Sequence, residues 1–342
     1  MQPEAAEAAA PGAAAAAPDL PQLRRGGPGN ARGRFAFGAR CDLYPRMYLI
    51  GDIGGTSVRL ALAQAGQILP DTLWRAPAGT EDFRAILAQY RAVYASGDIE
   101  GVAIAAAGAP RDGLLPLTNR AMVLDPEEIR AELGQVPVTL FNDMVGQGYG
   151  LSRLGPDGLR HLAGPQTGQG ARLVVNIGTG LNACVVHEGP AGTFVPPSEA
   201  GNVTLPQVTD SLRALAGLHG GEVVAEDVIS GRALPWLAKV LAERDNQQGA
   251  DALAHAAVQR VIADALAAYM RDMVLCHMAT GGIFLTGGVS MALADVLDWT
   301  EVHAAMVGGR AYADLLARVP VTLVTDPHVA LRGCAAIAGA QT

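Results

Sequence analysis

The sequence predicts an α/β protein made of two similar domains that face one cleft. From Met47 onward, short apolar runs alternate with stretches of helical spacing. A unit of strand, Gly-Thr turn and strand also occurs twice, at 47–63 and at 173–187. A third observation points to chemistry. Asp52-Ile53-Gly54-Gly55-Thr56, Asn142-Asp143 and Ile177-Gly178-Thr179-Gly180 each follow an apolar run (47–50, 136–141 and 173–177). Each motif is therefore expected at a strand end or in a tight turn. Two of them are turns that let backbone N–H groups approach phosphate oxygens, and the third offers a carboxylate beside an amide. Two phosphate loops and one candidate base suggest phosphoryl transfer from a nucleotide to a hydroxyl.

The elements follow in order. Runs 47–52 and 58–63, joined by the Gly-Gly-Thr turn, read as a hairpin. Residues 82–94 have helical spacing at Phe83, Ile86, Leu87 and Tyr90. Residues 101–107 form a strand of small residues. Asp125 starts a helix with Pro126 at its first position and Glu127 and Glu128 in its first turn. Residues 136–141 are the next strand. The second set has strands at 173–177 and 182–187 and one long helix over 252–279. A strand at 282–286 then ends in Gly287-Gly288. A strand at 321–324 and a helix at 329–340 close the chain.

Composition limits the partners. A chain of 342 residues with 50% hydrophobic and 17% charged residues has material for a sizeable core and two domains. Its formal net charge of −8 argues against nucleic acid or an anionic membrane as partner. No apolar run reaches the ~18 residues that cross a bilayer. The single lysine, Lys239, lies outside any Gly-rich loop, which excludes a Walker-type phosphate loop. Cys41, Cys184, Cys276 and Cys334 form no C-x-x-C pair, so no zinc or redox signature is present. Reduced, buried cysteines of a cytoplasmic protein are the expectation. Residues 1–46 are rich in Ala, Pro and Gly, with Arg24, Arg25, Arg32 and Arg34 among glycines. They are expected to be a disordered, dispensable tail, with the functional chain starting at Met47.

Each motif has a plainer reading beside the functional one. Gly54-Gly55 is also an ordinary hairpin turn. Asn142-Asp143 is also a helix N-cap pair. Gly287-Gly288 is either a simple helix start or a place where a nucleotide meets the backbone closely.

The ordered set Gly-Asp-Ile-Gly-Gly-Thr, Phe-Asn-Asp, Gly-Thr-Gly and Gly-Gly resembles the sugar-kinase/actin/heat-shock ATPase superfamily, and within it the bacterial glucokinase family. Thr118-Asn119 fits that family's Thr-Asn element. The stretch from Ala225-Glu226-Asp227 to Ser230-Gly231 resembles its Ala-Glu-Arg-Val-Leu-Ser-Gly segment, and Asp326-Pro327 to Gly333 resembles its C-terminal region. The resemblance covers about 47–341. It implies two domains of the actin-like ATPase (ribonuclease H-like) type, each with a mixed five-stranded sheet. The expected boundaries are 47–153 plus 326–342 for the small domain and 154–325 for the large one.

The resemblance also implies roles. Asp143 matches the catalytic base. Asn142, Asp143, Glu199, Asn202 and Glu226 match sugar-binding positions. Gly54, Gly55 and Thr56 match the first ATP-phosphate loop, and Gly178, Thr179 and Gly180 the second. Asp52 matches the magnesium-associated aspartate, in contact directly or through water. Gly287 and Gly288 match the adenosine region. The implied activity is ATP- and Mg2+-dependent phosphorylation of a hexose, D-glucose to D-glucose 6-phosphate, by a cytoplasmic homodimer. Its partners are the sugar and ATP.

Two departures bear on the sugar. The family's Gly-Glu-Gly-Gly-His loop is here Ser198-Glu199-Ala200-Gly201-Asn202, so one sugar contact is expected to lengthen or pass through water. Asn182 stands where the family has glycine and is expected to keep the turn through its tolerance of positive φ. These changes leave open a kinase for another sugar or amino sugar, or a sugar sensor without turnover. The related repressor/open-reading-frame/kinase group carries a Cys-rich zinc motif that this sequence lacks.

Overall fold

The computed structural model describes residues 46–77, 80, 82–94, 99–118, 120–244, 252–309 and 311–340. The expectations for residues 1–45 and for Asn119 lie outside them. The chain opens with strands β1 (Met47–Ile53), β2 (Val58–Gln64), β3 (Gln67–Ile68) and β4 (Trp74–Arg75). Helix α1 (Phe83–Tyr94) and strand β5 (Ile99–Ala106) follow, then a small hairpin of β6 (Leu115–Pro116) and β7 (Val123–Leu124). Helix α2 (Pro126–Leu133), strand β8 (Val138–Asn142) and helix α3 (Asp143–Leu151) complete this part.

Period-2 alternation sorts the first sheet's side chains onto two faces. Leu49 and Ile53 of β1 join α1's Phe83, Ile86, Leu87 and Tyr90 on one side. Tyr48 and Ile50 face the other side, where the last helix packs. Asp52 shares the parity of Tyr48 and Ile50. The α2 cap forms as the sequence predicts: the Asp125 carboxylate accepts from the Glu127 N–H, with Pro126 at the first position.

The second sheet uses β9 (Leu159–Ala163), β10 (Arg172–Ile177), β11 (Leu181–Gly189) and β12 (Gly192–Phe194). Helices α4 (Asp210–His219), α5 (Leu234–Arg244) and α6 (Ala256–His277) follow, then strand β13 (Gly282–Thr286). Helices α7 (Gly288–Val296), α8 (Trp299–Val307) and α9 (Ala313–Leu316), strand β14 (Val321–Val324) and helix α10 (Val329–Gly339) end the chain.

The two sheets repeat one plan. In the first, β1 pairs antiparallel with β2 and parallel with β5, which pairs parallel with β8. In the second, β10 pairs antiparallel with β11 and parallel with β13, which pairs parallel with β14. The internal duplication read from the sequence is thus a repeated sheet topology.

Three expectations need correction. The expected five-stranded sheets have six strands each among the described residues. Edge strand β4 pairs with β2, and β9 adds antiparallel to β14. The long helix over 252–279 is interrupted. A 3-10 turn at Ala252–Ala254 leads to His255 in extended backbone (φ −85°, ψ 117°), and α6 starts only at Ala256. His255 is buried there, at the N-cap of α6. The strand expected at 136–141 starts at Val138. Pro137 has no N–H to donate, although its carbonyl still accepts from Val102 N–H at 2.9 Å.

Helix α10 returns to the first sheet and lies on α3. Their backbones touch: a Cβ at Gly333 would overlap the Gly146 carbonyl, and one at Gly150 would overlap the Val329 carbonyl. This close crossing holds the start of α3, and with it Asp143, against the first sheet.

Candidate active site

The two Gly-Thr turns and the start of α3 meet at one cleft of about 420 Å³. It is lined by Gly54, Gly55, Thr56, Asn142, Asp143, Gly178, Thr179, Gly180, Glu199, Asn202 and Glu226. Every site residue named from the sequence is there except Asp52, Gly287 and Gly288. Ala107, Gly108, Thr118, Asn176, Leu181, Asn182 and Arg232 complete the lining.

Each turn is shaped by its hairpin. Gly54 N–H donates to Ser57 O at 2.8 Å and closes the β1–β2 turn. Gly178 N–H donates to Gly180 O at 2.9 Å in the β10–β11 turn. Thr56 and Thr179 are both exposed, one on each turn.

Asn142 is the N-cap of α3, so the plainer reading of this pair holds. Its Oδ1 accepts from Met144 N–H at 2.9 Å and its Nδ2 donates to Gly108 O at 3.0 Å. The side chain is buried and fixed between α3 and the end of β5. Asp143 is the first residue of α3 and also accepts from Met144 N–H, at 2.9 Å. Burial pushes its carboxyl up to about 7, and the charges of Asp52 and Glu199 push the same way. A base near neutral pH suits proton transfer at neutral pH.

Asp52 stands behind the cleft rather than in its lining. It lies directly across the hairpin from Arg59, and the two form an ion pair at 3.1 Å. Arg59 also donates to Pro327 O at 3.2 Å, tying the hairpin to the segment before α10. Burial pushes the Asp52 carboxyl up, while Arg59 pulls it down.

Asn182 departs from its expected role. It is not among the residues with positive φ. It sits in β11 opposite Asn176, and its side chain braces the 198–202 loop. Nδ2 donates to Ser198 O at 2.9 Å and to Glu199 Oε2 at 3.3 Å. Oδ1 accepts from Ala200 N–H at 2.9 Å. Glycine could make none of these contacts. Glu199 precedes the short 3-10 turn Ala200–Asn202, and Asn202 N–H donates to Glu199 O at 3.1 Å. Desolvation pushes the Glu199 carboxyl up.

Glu226 is held by two groups. Its Oε2 accepts from Leu181 N–H at 3.1 Å, and its Oε1 pairs with Arg232. Arg232 belongs to none of the motifs named from the sequence. The available signal was a guanidinium directly after the Ser230-Gly231 pair that follows Glu226.

Gly287 has φ +94° and precedes α7. A side chain there would overlap Asn176 and the Ile177 carbonyl, so the glycine lets α7 start against the end of β10. The described residues hold no group of three or more His, Cys, Asp or Glu able to bind a metal ion. None of their helices is long and apolar enough to cross a membrane.

Comparison with known proteins gives the class, the sugar kinases, and then the family. The family model for glucokinase matches residues 49–341. A glucokinase of Chelativorans sp. is 30% identical over 318 residues, spanning 85% of this chain and 90% of the relative. A glucokinase of Rhizobium meliloti is 29% identical, spanning 86% and 93%. Among solved structures, a glucokinase of Balamuthia mandrillaris in complex with glucose superposes with a TM-score of 0.71. It is 22% identical, with 89% of this chain and 96% of that one covered. A glucokinase of the repressor/open-reading-frame/kinase (ROK) family from Streptomyces griseus, in complex with glucose and AMPPNP, reaches 0.58 at 20% identity, covering 86% and 100%. The chain belongs to the glucokinase family.

Proposed function

We propose that this chain transfers the γ-phosphoryl group of ATP to a hexose hydroxyl, with D-glucose giving D-glucose 6-phosphate. The observation that carries the reading is Asp143. Its carboxyl, pushed up to about 7, lies at the start of α3 in a cleft shared with both Gly-Thr turns. In the step, the sugar oxygen bonds to the γ-phosphorus and its proton passes to the Asp143 carboxylate. The bond between that phosphorus and the bridging oxygen breaks, and ADP leaves. Asp143 also orients the hydroxyl, since phosphoryl transfer depends on positioning more than on strong basicity.

Glu199, Glu226 and Asn202 hold the sugar's other hydroxyls. Asn142 contributes the amide hydrogen not given to Gly108. The turns at Gly54–Thr56 and Gly178–Gly180 receive the phosphates through backbone N–H groups, and Gly287-Gly288 lies toward the adenosine. A nucleotide-bound magnesium ion takes one or two carboxylates besides phosphate oxygens and waters. Asp52 fits that role through a water, because its Oδ2 is engaged by Arg59 and it lies outside the cleft lining. When bound, the ion supplies charge neutralisation at the phosphates.

The repeated sheet topology supports two similar domains of the actin-like ATPase type, 47–153 plus 326–342 and 154–325. A cytoplasmic homodimer carries over from the family resemblance alone. One observation favours a second reading, a kinase for another sugar or an amino sugar: Ala200 and Asn202 replace the family's Gly and His in the sugar loop. ADP release by the full chain across a panel of hexoses and amino sugars tests both readings. The proposal expects turnover, highest with glucose. Turnover confined to another sugar transfers the assignment to that sugar, and none with any sugar overturns kinase activity.

A further inference from the structure

The Glu226–Arg232 ion pair forms a wall between two cavities. Both residues line the cleft, and both line an adjoining cavity of about 340 Å³ beside His219 and Trp236. Arg232 is the one basic residue among the described residues of the cleft lining. Its base is fixed to the second Gly-Thr-Gly turn: Arg232 N–H donates to Thr179 O at 3.1 Å, and Gly231 N–H to Gly178 O at 2.8 Å. Glu226 presses on the same turn, because a Cβ at Gly180 would stand 3.0 Å from its Oε2. With Oε2 on Leu181 N–H and Oε1 on Arg232, the guanidinium occupies the oxygen a sugar hydroxyl needs. The arginine side chain is 50% exposed and so has room to turn, whereas the Glu226 side chain is 21% exposed.

We infer that Arg232 is a positioning residue shared between Glu226 and the nucleotide polyphosphate, and that this sharing couples nucleotide binding to sugar binding. The inference rests on the sugar-kinase reading of the cleft. A guanidinium fork matches phosphate as well as carboxylate, and a polyphosphate carries more charge than one carboxylate. Phosphate oxygens seated on Gly178–Gly180 lie at the root of Arg232. Once the guanidinium turns to them, Oε1 of Glu226 accepts the sugar hydroxyl without competition. By linkage, the sugar then favours the nucleotide by the same factor.

Calorimetry of D-glucose binding to the full chain, with and without AMPPNP, tests this. In the wild type, AMPPNP should tighten glucose binding roughly two- to five-fold, the scale of a partly exposed ion pair. Arg232→Met should bind glucose more tightly than the wild type when AMPPNP is absent, and should show no further tightening when it is added. Its KM for ATP should rise while kcat falls less. Arg232→Lys keeps the charge and should recover part of the coupling, which a merely structural role would not require. Coupling in Arg232→Met equal to that of the wild type overturns the inference, as does absence of coupling in the wild type. ADP release separates the two levels. Glucose turnover without coupling sinks only the shared arginine, whereas no turnover with any hexose sinks the kinase reading beneath it.

Discussion

Asp143→Asn keeps the shape and the Met144 contact of the side chain but removes its charge and its capacity to take a proton. Two effects follow from one structural fact, a carboxyl pushed from 3.8 to about 7, chiefly by burial. The first concerns stability. A carboxyl whose folded value is raised stabilises the fold fully below its unfolded value, and that stability is lost as pH rises through the folded value. Between pH 5 and pH 7 the unfolded carboxyl is already ionised while the folded one holds its proton. The ionisation cost therefore grows by about 2 × 1.36, or ~2.7 kcal/mol at most. Water in the cleft reduces this to ~1–1.5 kcal/mol. At ~2.1 cal/mol/K per residue, the 296 residues from Met47 onward (342 − 46) give an unfolding entropy near ~0.6 kcal/mol/K, so the shift is about 2 °C. Thermal unfolding of the protein alone should show Asp143→Asn gaining about 2 °C on the wild type at pH 8 compared with pH 5. The second effect concerns rate. Turnover should fall at least ~10²-fold, while calorimetry still detects sugar binding. A stability difference independent of pH, or near-normal turnover, would refute the reasoning.

Asn182→Gly removes the brace between β11 and the sugar loop. It should raise the sugar KM roughly five- to thirty-fold, at ~1 kcal/mol for each of one or two lost hydrogen bonds, with the ATP KM nearly unchanged in steady-state kinetics. Asn202→His restores the family's contact and should lower the glucose KM about five-fold; weaker glucose binding would mean a loop tuned to another ligand. Gly333→Ala forces a methyl into the Gly146 carbonyl where α10 crosses α3. Denaturant unfolding should show a loss of ~1–3 kcal/mol or more, and an unchanged midpoint would refute the close crossing.

What the sequence disclosed was local, and what it hid depended on register. The β1–β2 hairpin, the face of α1 and the Asp125 cap each rest on residues a few positions apart, so spacing and cap chemistry sufficed. Gly54–Thr56, Asn142-Asp143 and Gly178–Gly180 were legible because each follows an apolar run, whereas Glu199, Asn202 and Glu226 rested on the family resemblance alone. The Asp52–Arg59 pair was not, because it requires knowing that these two positions stand opposite each other in the hairpin. Arg232 reaches Glu226 across a 3-10 turn, a geometry without a helical or strand period. Asn182 was read through backbone tolerance, whereas its role lies in side-chain bonds to a loop some eighteen residues later in sequence. The break at His255 was hidden by alanines on both sides, which have high helix propensity whether or not the chain turns there. Strand β9 pairs with β14, more than 150 residues later in the chain.

The central claim is that the cleft moves a phosphoryl group onto a sugar hydroxyl with Asp143 as base. Phosphorus NMR of the full chain incubated with ATP, magnesium and D-glucose tests it most directly. One phosphate should appear on the 6-hydroxyl of glucose, in step with ADP, and should be nearly absent with Asp143→Asn. Inorganic phosphate formed without any phosphorylated sugar, or sugar phosphate formed equally well by Asp143→Asn, would contradict it.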